Sequence, residues 1–132
     1  MPLKFETKEK FHVITVDEPE LTASLSATLQ DAAESIRNPS ANQAQAVRNL
    51  ILVMSPVQRI ELPAAETLAS LQSAFYASGA SFVICCLQPG VLKTLELADL
   101  LDLLNTTPTE SEAWDIVQME EIERELLGGD ED

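Results

Sequence analysis

The sequence lacks most of the side chains that enzymatic sites need. Its 132 residues contain one histidine, His12, so neither a histidine-based catalytic triad nor a zinc site with several histidine ligands can form. The four glycines match no phosphate-binding or dinucleotide-binding loop, because those motifs need glycine between a strand and the following helix. Glu120 and Glu121 are paired carboxylates, but they fall on the polar face of a predicted helix. We therefore expect no enzyme, no cofactor and no metal site.

Positive charge is also scarce. Eight lysines and arginines stand against 22 acidic residues, which gives a formal net charge of −14. This balance argues against direct binding to nucleic acid or to an anionic membrane, since both need clustered basic residues. From Thr109 onward there are ten acidic residues and one arginine. We interpret this acidic end as a solvated helix face followed by a tail, with a docking surface for a basic partner as the alternative.

Long hydrophobic runs and separated cysteines are absent as well. No segment reaches the roughly 18 apolar residues that a membrane span requires, and the first residues lack the apolar centre of a signal peptide. The two cysteines, Cys85 and Cys86, are adjacent, so a disulfide between them would be strained. Reduced thiols are typical of the cytoplasm, which is the location that the sequence predicts.

Apolar residues make up 45% of the chain, and their spacing alternates between strand and helix patterns. Short apolar or alternating runs predict strands at 3–7, 11–16, 50–54, 81–87 and, at the sheet edge, 103–105. Helical spacing predicts helices at about 21–36, 63–79, 91–101 and from 109 onward, with a polar connector at 39–46. This order is typical of one α/β sandwich with a mostly parallel sheet. We predict a single domain over residues 1–127 and a flexible acidic tail over 128–132.

Two of the predicted helices have a clear apolar stripe. Pro63 opens one of them, and Gly79 stands after it, where a capping glycine belongs. Its stripe consists of Ala64, Leu68, Leu71 and Phe75. In the last helix, Thr109 and Glu112 have the spacing of a capping box. Helical spacing places Ile116, Met119, Ile122 and Leu126 on one side of it.

The loop between the strand at 50–54 and the helix at Pro63 is the candidate functional site. In a parallel sheet such a loop lies at the carboxyl edge, where ligands and partners usually bind. The helix also begins with free N–H groups and the positive end of its dipole. A purely structural alternative is that Glu61 caps this helix and complements the dipole.

Several motifs, taken in order, resemble the STAS domain family, which is named for sulfate transporters and anti-sigma-factor antagonists. The similarity extends from about residue 5 to residue 127 and is most specific at the end, where it resembles small stand-alone members of the Bacteroidetes type. The matching residues are Leu52, Ser55, Val57, Glu61 and Leu68, then Gly79 to Phe82, Gln88, Pro89 and Val91, and finally the segments 103–105, 108–113 and 119–126. The resemblance implies a STAS-type sandwich with four to five mostly parallel strands and four helices. It also implies a role in regulating transcription.

One motif departs from the family. Family members that take part in partner switching carry Asp-Ser-Ser-Gly at this loop, and an anti-sigma kinase phosphorylates the first serine. Here Glu61, Leu62, Pro63 and Ala64 occupy these positions, and Val53 replaces a common aspartate. Leu62 has no hydroxyl group, so phosphorylation at the usual position cannot occur.

We therefore predict a regulatory protein-binding module that resembles anti-sigma-factor antagonists and works without a phosphate at position 62. The predicted contact residues are Arg59, Glu61, Leu62, Pro63, Ala64 and Ala65. The resemblance implies an anti-sigma-factor kinase-like protein or other STAS domains as the partner, and it leaves a homodimer open. The alternatives are a small-ligand or nucleotide sensor of this fold and a structural STAS paralogue within a larger regulatory complex.

Overall fold

The computed structural model describes residues 2–37 and 48–128. The predicted connector at 39–46 and residues 129–132 of the predicted tail lie outside the described residues. The strands are β1 (Leu3–Thr7), β2 (His12–Val16), β3 (Glu20–Leu21), β4 (Leu50–Val53), β5 (Arg59–Ile60), β6 (Phe82–Cys85) and β7 (Thr106–Thr107). The helices are α1 (Ala23–Arg37), α2 (Leu62–Ala77), α3 (Pro89–Leu97) and α4 (Glu110–Gly128), with a 3-10 turn at Leu101–Leu103.

Five strands form the central sheet in the order β1-β2-β4-β6-β7. β1 is antiparallel to β2, and every other neighbouring pair in this sheet is parallel. The predicted mostly parallel sheet with four helices is therefore confirmed. The predicted edge strand at 103–105 begins later in the chain. Residues 101–103 form the 3-10 turn, the Asn105 carbonyl accepts from the Ile84 N–H of β6 at 2.9 Å, and β7 then pairs with β6 at Thr106 and Thr107.

The two central strands are buried on both faces, as their continuous apolar sequences predict. Their side chains alternate between two cores. Leu52 and Ile84 belong to the larger core, which α1, α2 and α3 cover, and the predicted stripe of α2 lies in this core. Ile51 and Val83 belong to the smaller core on the other face, which α4 covers. The sandwich therefore has three helices on one side of the sheet and one helix on the other.

Some predicted helix boundaries need correction. Leu21 does not begin the first helix, because it pairs with Ile60 in a short parallel ribbon formed by β3 and β5. α2 begins at Leu62, one residue before Pro63, and α3 ends at Leu97. Gly79 has a φ of +72° just after α2, which confirms its predicted capping role.

The apolar side predicted for the last helix is divided in the structure. Ile116 packs against the smaller core, in which Ala113 and Val117 are fully buried, whereas Met119, Ile122 and Leu126 are exposed. Small side chains at the inner positions allow the helix to approach a sheet face that is already filled by branched residues. A spacing of three and four residues identifies an apolar face but does not say which face meets the sheet.

Glu120 and Glu121 also differ from their predicted place on a solvated face. The Ser81 hydroxyl donates to Glu120 at 2.5 Å, and the side-chain amide of Asn49 donates to Glu121 at 2.6 Å. Arg124 donates to Glu121 at 3.2 Å and to the Ser81 hydroxyl at 3.1 Å. These hydrogen bonds attach the inner side of α4 to the residues that precede β4 and β6.

Within residues 2–37 and 48–128, no helix is both long and apolar enough to cross a membrane. The same residues contain no group of three or more histidine, cysteine, aspartate or glutamate side chains that could hold a metal ion. Cys85 and Cys86 are not joined by a disulfide.

Candidate functional site

The candidate loop leaves β4 at the carboxyl edge of the sheet. The Met54 N–H donates to the Cys85 carbonyl at 3.0 Å, and the Val57 N–H closes a turn by donating to the Met54 carbonyl at 2.9 Å. Val57 and Ile60 are buried in the larger core. Two apolar anchors and a hydrogen-bonded turn therefore fix the loop to the sheet.

A second set of backbone hydrogen bonds holds the loop from the side of β3. The Pro19 carbonyl accepts from the N–H groups of Gln58 at 2.8 Å and Arg59 at 3.1 Å. The Glu61 N–H donates to the Leu21 carbonyl at 3.0 Å. The sequence analysis missed this ribbon because each of its strands is only two residues long, too short for any periodicity to appear.

The start of α3 supports the other side of the loop. The Gln88 side-chain amide donates to the Ser55 carbonyl at 2.5 Å. A Cβ atom on Gly90 would lie 2.7 Å from the Gln58 carbonyl oxygen, so this glycine permits a close approach between α3 and the loop. The loop is thus held on three sides before any partner binds.

Glu61 stands at the N-cap of α2, but its side chain does not cap that helix. Instead, its Oε1 atom accepts from the Ala23 N–H at 2.7 Å, at the start of α1. The Thr22 hydroxyl caps the same helix by accepting from the Leu25 N–H at 3.1 Å. Glu61 therefore has the capping role that the structural alternative predicts, but it caps α1 and not α2. Its hydrogen bond connects the loop to α1.

Replacing Glu61 with alanine is expected to lower the free energy of unfolding by about 1 kcal/mol, because the start of α1 loses one of its capping acceptors. Urea denaturation measures this change. Glu66→Ala is the matched control, since Glu66 is an exposed glutamate within α2. An equal loss for both variants would show that the hydrogen bond to Ala23 contributes nothing specific.

The predicted contact residues divide into an exposed and a buried group. Arg59, Glu61, Leu62 and Pro63 are exposed, and we call these four residues the α2-entry surface. Leu62 is 51% exposed although it is a large aliphatic residue at the first position of a helix. Ala64 and Ala65 are fully buried in the larger core, which removes them from the predicted contact set.

The end of β6, next to this loop, offers no reactive thiol at Cys85. Burial raises the pKa of the Cys85 thiol well above its usual range, and the neighbouring Cys86 and Glu110 add to the shift. The thiolate is the nucleophilic form of cysteine, so this side chain stays inert near neutral pH. It is a core residue of the smaller cluster.

Fold and loop together define a small α/β domain that presents a fixed, partly apolar loop. The sequence profile of the STAS domain matches residues 3–113, and the chain belongs to this family. No curated protein matches the sequence.

Several solved structures share the fold at low sequence identity. An anti-sigma factor antagonist from Mycobacterium paratuberculosis is 17% identical, with a TM-score of 0.71 over 88% of this chain and 92% of that one. A serine-to-glutamate variant of RsbS from Moorella thermoacetica is 16% identical, with a TM-score of 0.72 over 89% and 96%. The anti-sigma factor antagonist SpoIIAA in its unphosphorylated form is 18% identical, with a TM-score of 0.66 over 88% and 96%. At these identities the likeness establishes the fold.

Proposed function

We propose that this STAS domain is a regulatory protein-binding module that acts as anti-sigma factor antagonists do, through its α2-entry surface. In this proposal the contact residues are Arg59, Glu61, Leu62 and Pro63. The partner is an anti-sigma-factor kinase-like protein or another STAS domain, and the interaction regulates transcription in the bacterial cytoplasm. Catalysis has no part in it.

The exposure of Leu62 on a fixed backbone carries the proposal. Half of the Leu62 side chain is already buried in the domain, and burying the exposed half against a partner would contribute about 1 kcal/mol. The loop backbone is already held by β3, by α3 and by Glu61. Binding would therefore not require the loop to become ordered, which lowers the entropic cost of association.

The chemistry of position 62 separates this module from a phosphorylation switch at the same place. Leucine cannot accept a phosphate, so the contact does not depend on one. Thr67 is a nearby residue that does have a hydroxyl group, and this hydroxyl donates to the Pro63 carbonyl at 3.1 Å within α2. The aliphatic side chain of Leu62 favours constitutive binding, which is controlled by the amount or state of the partner.

Leu62→Asp is expected to weaken partner binding about 30-fold or more, the effect typical of losing a central apolar contact. The partner would be captured from native lysate on the immobilised wild-type chain, identified by mass spectrometry, purified and titrated by calorimetry. Leu97→Asp is the matched control, because Leu97 is an exposed leucine on α3. Circular dichroism would verify that both variants are folded.

Equal dissociation constants for wild type and Leu62→Asp would overturn the proposal. Calorimetric titration with GTP, ATP and sulfate is the companion experiment. Heat of binding that Leu62→Asp abolishes would favour a ligand sensor at this surface instead of a protein-binding one.

A further inference from the structure

α4 has a second apolar face, opposite to the one that meets the sheet. Met119, Ile122 and Leu126 are 59%, 56% and 67% exposed, and we call these three residues the outer α4 stripe. Their spacing of three and four residues places them in one row along the helix. Ala113 and Val117 lie on the inner side, in the smaller core. A surface helix normally has one apolar face, so the outer stripe is not explained by the packing of this domain.

The exposed charged side chains of α4 around the outer α4 stripe are all acidic. Asp115, Glu123 and Glu125 are exposed on the same helix. Arg124, the single basic residue of α4, is turned inward, where it donates to Asn49 at 3.2 Å and to Glu121. The stripe is therefore an apolar row flanked by carboxylates, without a basic side chain from its own helix to neutralise them.

A cleft adjoins the stripe at Ile122. It has a volume of about 430 Å³ and lies between α4 and the turn that joins β1 to β2. Phe11, Trp114 and Ile122 supply its apolar part, and the rings of Phe11 and Trp114 contact each other with centroids 5.3 Å apart. Two lysines, Lys8 and Lys10, also line the cleft, and the Lys8 Nζ atom lies 5.6 Å from the centre of the Trp114 ring. Three carboxylates line it as well, those of Glu9, Glu121 and Glu125. The cleft gives the stripe a recess that can take a large apolar side chain from a partner.

We infer that the outer α4 stripe is a second protein-docking surface, and that its partner is a basic amphipathic helix. Such a helix would set its apolar face on Met119, Ile122 and Leu126 and place flanking lysines or arginines against the carboxylates. A second copy of this chain does not fit, since a two-fold pairing of α4 helices would bring carboxylates together. The surface lies on the opposite side of the sheet from α2, so this inference does not depend on the proposed function of the α2-entry surface.

Two synthetic helical peptides of about 18 residues, or five turns, test the inference. Both have leucine on one face, and they differ only in the residues that flank this face, which are lysine in one and glutamate in the other. Fluorescence anisotropy at about 150 mM salt limits unspecific attraction between charges. We expect the lysine-flanked peptide to bind the wild-type chain and the glutamate-flanked peptide not to bind.

The decisive variant replaces Met119, Ile122 and Leu126 with serine, which removes the apolar row and leaves the charge unchanged. It is expected to bind the lysine-flanked peptide at least about tenfold more weakly. A double variant with Leu97→Ser and Leu103→Ser is the control, because both leucines are exposed outside the two proposed surfaces, and it should bind as the wild type does. Since all five side chains are exposed, circular dichroism should show folded variants.

Three results would overturn the inference. The first is that the lysine-flanked peptide does not bind the wild type. The second is equal affinity of this peptide for the wild type and the triple serine variant, which would show that charge alone causes the binding. The third is a dimer in sedimentation that the triple serine variant dissociates, which would make a second copy the partner. If the peptides bind as expected but Leu62→Asp binds its partner as the wild type does, the docking surface on α4 is supported and the proposed function of the α2-entry surface is not.

Discussion

Replacing Asn49 with alanine is expected to lower the free energy of unfolding by about 3 kcal/mol. The Asn49 side chain is buried and uses both ends of its amide. Its nitrogen donates to the Lys10 carbonyl at 3.0 Å and to Glu121 at 2.6 Å. Its oxygen accepts from the Ser81 N–H at 2.8 Å and from Arg124 at 3.2 Å. Alanine would leave the buried Ser81 N–H without this acceptor, and an unsatisfied buried group costs more than an average hydrogen bond contributes.

Urea denaturation followed by circular dichroism measures the loss. Asn105→Ala is the matched control, because the Asn105 side chain makes one long contact with Glu120, at 3.5 Å. This control is expected to cost less than about 1 kcal/mol. If both variants lowered the free energy of unfolding by similar amounts, the buried hydrogen bonds of Asn49 would contribute no more to stability than the contact of Asn105. Hydrogen exchange at the Ser81 amide should rise in Asn49→Ala and stay unchanged in the control.

This network explains how α4 can keep large aliphatic residues on its outer side. The inner side contributes Ala113 and Val117 to the smaller core, and Trp114 and Ile116 pack against it. Asn49 and Ser81 add hydrogen bonds to the carboxylates of α4, and Arg124 donates from α4 to both of them. Because polar contacts orient the helix, the larger residues are free to face outward.

The layers of the fold could be predicted from the sequence because β4 and β6 have uninterrupted apolar runs and α2 has one clear stripe. The orientation of α4 could not. Ala113 and Val117 define one apolar face, and Met119, Ile122 and Leu126 define another with equally good helical spacing. Which face meets the sheet depends on the space left by the opposing strands and on the partners of Asn49, and neither is visible in local periodicity.

The position of the candidate loop between β4 and α2 could be predicted, but the contacts that hold it could not. The resemblance placed Leu62 at the motif position, and in the structure it is exposed as the first residue of α2. The contact between Glu61 and the Ala23 N–H joins residues 38 positions apart, so no local pattern predicts it. Ala64 and Ala65 are buried because they lie on the face of α2 that packs in the larger core.

Gly90→Ala is expected to lower the free energy of unfolding by about 2 kcal/mol and to loosen the candidate loop. Alanine is the better helix former by about 1 kcal/mol, so a loss of stability would have to come from the new contact. The added Cβ would lie 2.7 Å from the Gln58 carbonyl oxygen, and the Gln58 N–H is held by Pro19 on the other side. The Gln58 backbone is thus confined on both sides, so relieving the contact with the new Cβ requires the loop to shift and to strain its hydrogen bonds.

Hydrogen exchange at Gln58, Arg59 and Glu61 reports this displacement, and urea denaturation reports the stability. Gly79→Ala is the control, because its Cβ would meet no atom within 4 Å and only the φ of +72° would strain it. This control should cost about 1 kcal/mol and leave exchange at the loop unchanged. If Gly90→Ala were as stable as the wild type, with unchanged exchange, then α3 would not be holding the loop. The α2-entry surface would then need another source of its rigidity.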